Sequence, residues 1–145
     1  MITGEHAVVH GAPAVVAAIE KRVHVSISLI DEDTLSMTST IAPPPQAPMD
    51  GLVAEGPYRF VIACVLAFKH RLTGGLQIDI TSEIDPTLGL GSSAAVTVAT
   101  LAGLEGAATE DLHSHALKII REQQGRCSGA DLAASLHGGV LSYQI

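Results

Sequence analysis

Residues 85–95 read Asp-Pro-Thr-Leu-Gly-Leu-Gly-Ser-Ser-Ala-Ala, between an alternating apolar run and a longer apolar segment. Gly89 and Gly91 permit backbone angles that other residues avoid, and without side chains they let a ligand approach the main chain. Ser92 and Ser93 open the next segment, where free N–H groups and the helix dipole favour an anion. The stretch predicts a phosphate-binding turn from a strand into a helix. The alternative is a tight turn with a serine cap and no ligand.

Two other phosphate motifs compete with this interpretation. A Walker A loop needs a lysine before its Ser or Thr, and this loop contains no lysine. The dinucleotide pattern G-x-G-x-x-A is met by Gly89, Gly91 and Ala94. Its acidic residue is expected about 20 positions on, at the end of a second strand. Glu110 and Asp111 have that spacing but stand at a predicted helix start, so the dinucleotide interpretation is the weaker one.

Apolar residues repeat with two periods along the rest of the chain. Alternation predicts strands and a three- to four-residue spacing predicts helices, and their irregular mixture favours an α+β fold over a doubly wound sheet. The first two strands are expected to pair across a turn. A proline-rich stretch, 42–48, is expected to be an exposed connector that forms neither helix nor ladder. Strands are expected at 21–30, 35–38, 76–80 and 140–143, and helices at 57–73, 94–104, 109–120 and 129–136.

Two further segments carry polar residues typical of binding sites. Glu5 and His6 follow a predicted strand end, which suggests a binding edge, although a polar strand end needs no function. Asp131 follows Ser128 by three positions at the start of the last helix. That spacing matches a capping box, in which the carboxylate serves the helix N-terminus. The alternative is a functional carboxylate that orients or deprotonates a substrate hydroxyl.

Composition limits the partners. The 145 residues carry 8 basic and 15 acidic side chains, a formal net charge of −7. They form no Lys/Arg cluster, so nucleic acid is not an expected partner. The longest apolar run, 60–68, is far shorter than the roughly 20 residues of a membrane span, and no signal-peptide pattern opens the chain. We expect a soluble, cytoplasmic protein, with Cys64 packed in the core and His113 and His115 solvated.

Three segments together resemble the GHMP kinase family, named after galactokinase, homoserine kinase, mevalonate kinase and phosphomevalonate kinase. They are residues 4–11 (GEHAVVHG), 86–95 (PTLGLGSSAA) and 128–131 (SGAD), the last followed by Gly138-Gly139. The first segment is most similar to mevalonate kinases, and the order of the three matches along essentially the whole chain. The resemblance implies that 1–145 is the family's N-terminal ATP-binding domain, a mixed sheet packed against helices.

The activity that the resemblance implies is an ATP- and Mg²⁺-dependent kinase that phosphorylates a hydroxyl of mevalonate, in isoprenoid precursor synthesis. By carry-over, Asp131 corresponds to the catalytic aspartate, and Glu5 and His6 border the substrate pocket. One of the two loop serines would ligate Mg²⁺, and a homodimer is a further expectation. Phosphoryl transfer depends mainly on positioning and charge stabilisation, which a helix N-terminus, Mg²⁺ and a carboxylate supply. The residues expected to hold the ATP phosphates are Pro86, Gly89, Leu90, Gly91, Ser92, Ser93 and Ala94.

The chain departs from the family pattern at three places. Mevalonate kinases carry a lysine a few residues before the Glu5-His6 segment, at a position that would precede Met1. The family's acidic Mg²⁺ ligand aligns with Ile120, and Glu122, two positions away, is the candidate replacement. The glycine-rich third motif belongs to a C-terminal domain, so the chain is expected to be most of one lobe of a two-lobed enzyme. A phosphomevalonate or sugar kinase of the family remains an alternative, as does a non-catalytic nucleotide-binding protein.

Overall fold

The computed structural model describes residues 1–106, 109 and 111–145, and within these ranges the chain forms six strands and four helices. The mixture confirms the expected α+β class. The strands are β1 (Ala14–Ala17), β2 (Val23–Ile30), β3 (Thr34–Ser39), β4 (Ala47–Pro48), β5 (Gly75–Ser82) and β6 (Val140–Tyr143). The helices are α1 (Arg59–Phe68), α2 (Ser92–Glu105), α3 (Leu112–Gln124) and α4 (Ala130–His137).

Four strands form a mixed sheet in the order β2-β5-β3-β4, and β1 pairs with β6 in a separate two-stranded sheet. Strand β5 runs antiparallel to β2 and parallel to β3. Its apolar residues Leu76, Ile78 and Ile80 are at most 2% exposed and pack with α1. The strand with the most buried apolar residues therefore lies inside the sheet, whereas β2, with more apolar residues that are less buried, lies at its edge.

The predicted pairing of β2 with β3 is wrong, because β5 lies between them. The connection from β2 to β3 crosses the start of β5 at Gly75. A Cβ there would lie 2.1 Å from the carbonyl oxygen of Glu32 and 2.2 Å from that of Thr34. The crossing is possible because Gly75 has no side chain, and it leaves room for β5 between two strands that are neighbours in sequence.

The proline-rich stretch also differs from its prediction, since Ala47–Pro48 form the short strand β4, antiparallel to β3. Proline lacks the N–H that a ladder needs, but an edge strand has one side without a partner. The rest of the stretch is held at Ala42, whose carbonyl accepts a hydrogen bond from the Tyr58 hydroxyl. The segment is therefore an attached edge rather than a free connector.

Helix α2 lies between the sheet and the other helices, and small residues let it pack on both sides. Gly103 allows β2 to approach closely, since a Cβ there would lie 3.0 Å from Cδ1 of Ile27. The buried hydroxyls of Thr97 and Thr100 donate to carbonyls one turn back, each at 2.7 Å. Cys64 is fully buried against this layer, and its burial raises the pKa of the thiol to about 12, in agreement with a packing role.

The start of α3 is only partly as expected. Its N-cap is Asp111, which forms no side-chain cap bond, and Thr109 donates instead to the Glu105 carboxylate at 2.7 Å. Glu110, the third residue of the predicted cap, lies outside the described residues. Within the described ranges no helix combines the length and the apolar character that crossing a bilayer requires.

Candidate phosphate-binding and catalytic site

The predicted phosphate loop folds as a short 3-10 turn, Pro86–Leu88, followed by two glycines in left-handed conformation. Asp85 initiates the turn: its carboxylate accepts from the Thr87 N–H at 2.8 Å and from the Thr87 hydroxyl at 2.6 Å. These bonds hold the pKa of the Asp85 carboxyl below its ordinary value. Gly89 has φ +64° and Gly91 has φ +77°, angles that other residues adopt only at a cost. The turn geometry explains why glycine stands at both positions.

Helix α2 begins directly after this turn with no side chain over its end. Its N-cap is Gly91, and the first helical bond runs from the Ala95 N–H to the Gly91 carbonyl at 3.0 Å. Ser92, Ser93 and Ala94 precede that bond, so their N–H groups are the orphan donors of the helix N-terminus. Since no side chain of the described residues caps the helix here, the serine-cap alternative is not formed, and an uncapped helix N-terminus favours an anion.

Asp131 stands beside this helix end. A Cβ built on Gly91 would lie 3.6 Å from Cβ, 3.7 Å from Cγ and 3.9 Å from Oδ2 of Asp131. The carboxyl group therefore lies within van der Waals range of the position that a side chain at the α2 N-cap would occupy, although the two residues come from different motifs. An acidic group next to a helix N-terminus is favoured by the helix dipole.

The capping-box interpretation of Asp131 is not supported by this geometry. The N-cap of α4 is Gly129 rather than Ser128, and no side-chain cap bond forms there. The Ser128 hydroxyl instead accepts a long bond of 3.3 Å from the Ala130 N–H. Because Asp131 is exposed and not used as a cap, its carboxylate is available to a ligand.

The loop and Asp131 line one cavity of about 620 Å³. Gly89, Leu90 and Gly91 contribute one part of the wall, and α4 contributes Asp131 and Ser135. A further part of the wall comes from the segment that joins β1 to β2. The cavity is thus formed by parts of the chain that are distant in sequence.

Three basic residues in and next to this segment were not among the site residues that the sequence analysis predicted. Lys21, Arg22 and His24 line the cavity, and within the described ranges neither Lys21 nor Arg22 forms an ion pair. Their only signal in the sequence was a pair of adjacent basic residues before a strand, in a chain with few basic residues. They bring two cationic side chains to a cavity that Glu20 and Asp131 also line, in a protein whose net charge is −7.

The remaining predicted site residues lie at different distances from this cavity. Ser92 and Ser93 are half-buried between Gly91 and Ala95, which line it. Pro86 is exposed at the start of the turn, and Ala94 points into the helical core at 3% exposure. The cavity wall therefore involves the glycines directly and places both serines at its border.

The structure does not bring Glu5, His6 or Glu122 to the cavity. Glu5 and His6 are exposed in the turn before the 3-10 segment Val8–His10, and neither lines the cavity. Glu122 is exposed on α3, whereas Ile120, at the aligned position, is buried in the core. Among the residues that the structure describes, no three His, Cys, Asp or Glu side chains form a metal cluster.

The groups that do surround the cavity suit a phosphate chain with Mg²⁺. A Cβ built on Gly89 would meet nothing within 4 Å, so there is open space beside the loop. Backbone N–H groups and serine hydroxyls are donors to phosphate oxygens. Mg²⁺ is usually held by one or two carboxylates together with substrate phosphates and water. Asp131 and a serine hydroxyl are compatible with that requirement without a three-residue protein cluster.

Comparison with known proteins gives the family. The family model described as the GHMP kinases N terminal domain matches residues 59–139, which include the loop, Asp131 and the end of α4. An exposed helix N-terminus beside a carboxylate is compatible with a phosphotransferase, and the family match narrows this class to the GHMP kinases. The chain belongs to the GHMP kinase family, and the resemblance seen in its three sequence segments is confirmed.

Relatives within this family include several mevalonate kinases and a phosphomevalonate kinase of Streptomyces sp., which is 31% identical over 99% of this chain and 46% of that protein. The mevalonate kinase of Archaeoglobus fulgidus is 38% identical over an alignment that covers 96% of this chain and 48% of that protein. The mevalonate kinase of Pyrococcus furiosus is 34% identical, with 99% and 49% covered. The crystal structure of L. major mevalonate kinase in complex with R-mevalonate superposes with a TM-score of 0.74 at 29% identity, with 99% and 45% covered. The chain spans about half the length of the curated relatives it matches.

Proposed function

We propose that this chain is the ATP-binding part of a kinase that transfers the γ-phosphate of ATP to a hydroxyl of mevalonate. The observation that carries the proposal is the position of the Asp131 carboxyl group, 3.7–3.9 Å from where a Gly91 side chain would begin. At this position the Asp131 carboxylate, the proposed acid–base group, lies in the same cavity as the loop that leads into the N-terminus of α2, the proposed anion site. The mevalonate kinase relatives support the choice of acceptor.

The loop would bind the phosphates of ATP. Gly89 and Gly91 allow the phosphates to approach the backbone, and the N–H groups of Ser92, Ser93 and Ala94 would donate to their oxygens. One of the two serine hydroxyls would reach Mg²⁺. When bound, ATP with Mg²⁺ supplies the transferable phosphoryl group and neutralises part of its charge. The protein supplies positioned donors, which need no reorganisation during the reaction.

Asp131 would act on the acceptor. Its carboxylate orients the acceptor hydroxyl and takes up the proton that the hydroxyl loses as its oxygen bonds to phosphorus. Because Asp131 is free of a capping bond, both carboxylate oxygens can accept. The position beside the α2 N-terminus places this proton acceptor close to the site proposed for the phosphates.

Lys21 and Arg22 would bind the anionic end of the acceptor. Both line the same cavity as Asp131, and mevalonate carries a carboxylate that a basic side chain can pair with. The same surface suits phosphomevalonate, which carries an additional phosphate, and this makes phosphomevalonate the second candidate acceptor. A neutral sugar would gain nothing from these two charges.

The test is an acceptor panel with the full-length gene product. ADP release is measured with mevalonate, phosphomevalonate and galactose, each with and without Mg²⁺, and the product is identified by phosphorus NMR. We expect Mg²⁺-dependent transfer to mevalonate with the highest kcat/KM of the three. A higher value with phosphomevalonate would select the second candidate. ATP binding without transfer to any acceptor would instead show a non-catalytic nucleotide-binding protein.

A further inference from the structure

Side chains from α3 and β6 hold the backbone that leads into α4. Arg121, in the last turn of α3, donates from Nε and Nη2 to the carbonyl of Cys127, at 3.2 and 3.1 Å. Tyr143, at the end of β6, donates its hydroxyl to the carbonyl of Ser128 at 2.8 Å. Burial raises the pKa of the Tyr143 hydroxyl, which therefore stays protonated and able to donate. Two successive carbonyls are thus fixed by two different elements.

His113 holds the third carbonyl of the series. Its Nε2 lies 3.1 Å from the Gly129 carbonyl oxygen, which can only accept, so Nε2 carries the proton of this bond. The same oxygen accepts the Ala133 N–H at 3.0 Å, the first helical bond of α4. His113 was expected to be solvated, but it is half-buried and its ring stands 5.9 Å from that of Tyr143.

The space around Gly129 is filled by these two rings. A Cβ on Gly129 would lie 2.7 Å from the Tyr143 hydroxyl oxygen and 3.2 Å from Nε2 of His113. Gly129 also has φ +89°. Two residues later comes Asp131, which has no cap bond of its own. The direction of its carboxyl group therefore depends on how firmly residues 127–129 are held.

We propose that His113, Arg121 and Tyr143 form a carbonyl clamp of positioning residues, which directs Asp131 toward the N-terminus of α2. This inference rests on the proposed function of Asp131. None of the three clamp residues lines the cavity, so they act through the backbone and not on the acceptor. Phosphoryl transfer is sensitive to such positioning, because a displacement of about 1 Å can cost up to about a hundredfold in rate.

The first test compares the chain's two tyrosines in the full-length gene product. Tyr143→Phe removes the clamp hydroxyl and keeps the ring, whereas Tyr58→Phe removes a hydroxyl that bonds Ala42, outside the cavity. We expect Tyr143→Phe to lower kcat about tenfold with unchanged KM for ATP and acceptor, and Tyr58→Phe to leave kcat unchanged. Equal kcat in the two variants, both folded, would overturn the clamp.

A second pair of variants covers the case in which Tyr143→Phe does not fold. His113→Ala removes the donor to Gly129, and His113→Gln keeps an N–H donor on a side chain of similar length. Recovery of kcat in His113→Gln relative to His113→Ala supports positioning through this bond. Equal kcat in His113→Ala and the wild type contradicts it.

The third test is an NMR measurement that does not depend on kinase activity. NMR of the nucleotide-free protein follows the amide and carboxyl signals of Asp131. We expect these signals to shift in Tyr143→Phe and His113→Ala and to stay unchanged in Tyr58→Phe. If the wild type transfers no phosphate, the proposed function fails, and the Asp131 signals still decide the clamp. Unchanged signals in both clamp variants would overturn it.

Discussion

The carboxyl group of Asp131 lies beside Gly91, with its Oδ2 3.9 Å from the position that a Gly91 Cβ would occupy. This proximity brings the end of the predicted phosphate loop next to the start of α4. Glycine is needed at the α2 N-cap because the backbone there is left-handed, and a Cβ at this position would add a methyl group in van der Waals contact with the Asp131 carboxyl group. The proposed phosphoryl transfer depends on this pair.

Substitution at Gly91 can be compared with a glycine of nearly identical backbone at the other end of α2. Gly91 has φ +77° and Gly106 has φ +78°, but only Gly91 has Asp131 near its missing side chain. Alanine at either position is expected to cost about 1–2 kcal/mol in unfolding free energy, because the left-handed conformation disfavours a Cβ. Only Gly91→Ala is expected to lower kcat as well. Denaturant unfolding and steady-state kinetics on both variants check this, and an equal loss of kcat would contradict it.

The basic wall of the cavity is expected to determine KM for the acceptor. Lys21→Ala and Arg22→Ala should each raise that KM about tenfold, as expected for loss of a charge-assisted bond worth roughly 1.5–3 kcal/mol. KM for ATP should change less. Lys118→Ala on α3, outside the cavity, is the matched control. If Lys118→Ala raised the acceptor KM as much as the other two, the effect would be one of net charge.

The C-terminal end of α2 carries a carboxyl group that makes stability depend on pH. Burial alone would raise the pKa of Glu105, but hydrogen bonds from Thr109 and His115, with the charges of His115 and Arg71, lower it below the ordinary 4.5. A carboxyl whose pKa is lower in the folded state stabilises the protein above its unfolded pKa and loses this as the pH falls through the folded value. Wild-type unfolding free energy should therefore fall below about pH 4.5.

The variant Glu105→Gln isolates this contribution. It keeps the shape of the side chain but removes the titration, so its stability should fall less steeply over the same acid range. Urea unfolding at a series of pH values compares the two slopes. Parallel curves for wild type and Glu105→Gln would mean that the fall has another source.

The two free cysteines should differ in reactivity. Cys64 is fully buried, its burial raises the thiol pKa to about 12, and Cys127 is only half-buried. Because the thiolate is the reactive form, iodoacetamide at pH 8 should modify Cys127 in the native protein and reach Cys64 only after unfolding. Peptide mass spectrometry after native and denatured labelling measures this. Rapid native labelling of Cys64 would show that the α1–α2 interface opens.

The phosphate loop was predictable because its signals are local. Two glycines and two serines at a strand-to-helix turn define both the backbone and the donors, and the structure forms that turn at 85–92. The role of Asp131 was not decided by local spacing, since a capping box and a functional carboxylate share it. The structure forms no capping box at Asp131, and the functional role of its carboxylate stays a prediction.

What the sequence could not show are the contacts made across the fold. The pairing of β2 with β5 instead of β3 depends on a chain crossing at Gly75. The alternation of apolar residues along the strands gives no information about this crossing. His113 was expected in solvent because its spacing from His115 places them on different helix faces, yet it bonds a carbonyl of another segment. Lys21 and Arg22 come to line the same cavity as Asp131 only when the two sheets and α4 pack together.

The measurement that tests the central claim most directly is the effect of Asp131→Asn on nucleotide binding and on turnover in the same protein. Asp111→Asn, which changes an aspartate at the start of α3 outside the cavity, is the control. The account predicts that Asp131→Asn lowers kcat at least about a hundredfold, with ATP affinity nearly unchanged, and that Asp111→Asn alters neither. Full turnover in Asp131→Asn, with a loss of unfolding free energy alone, would contradict it.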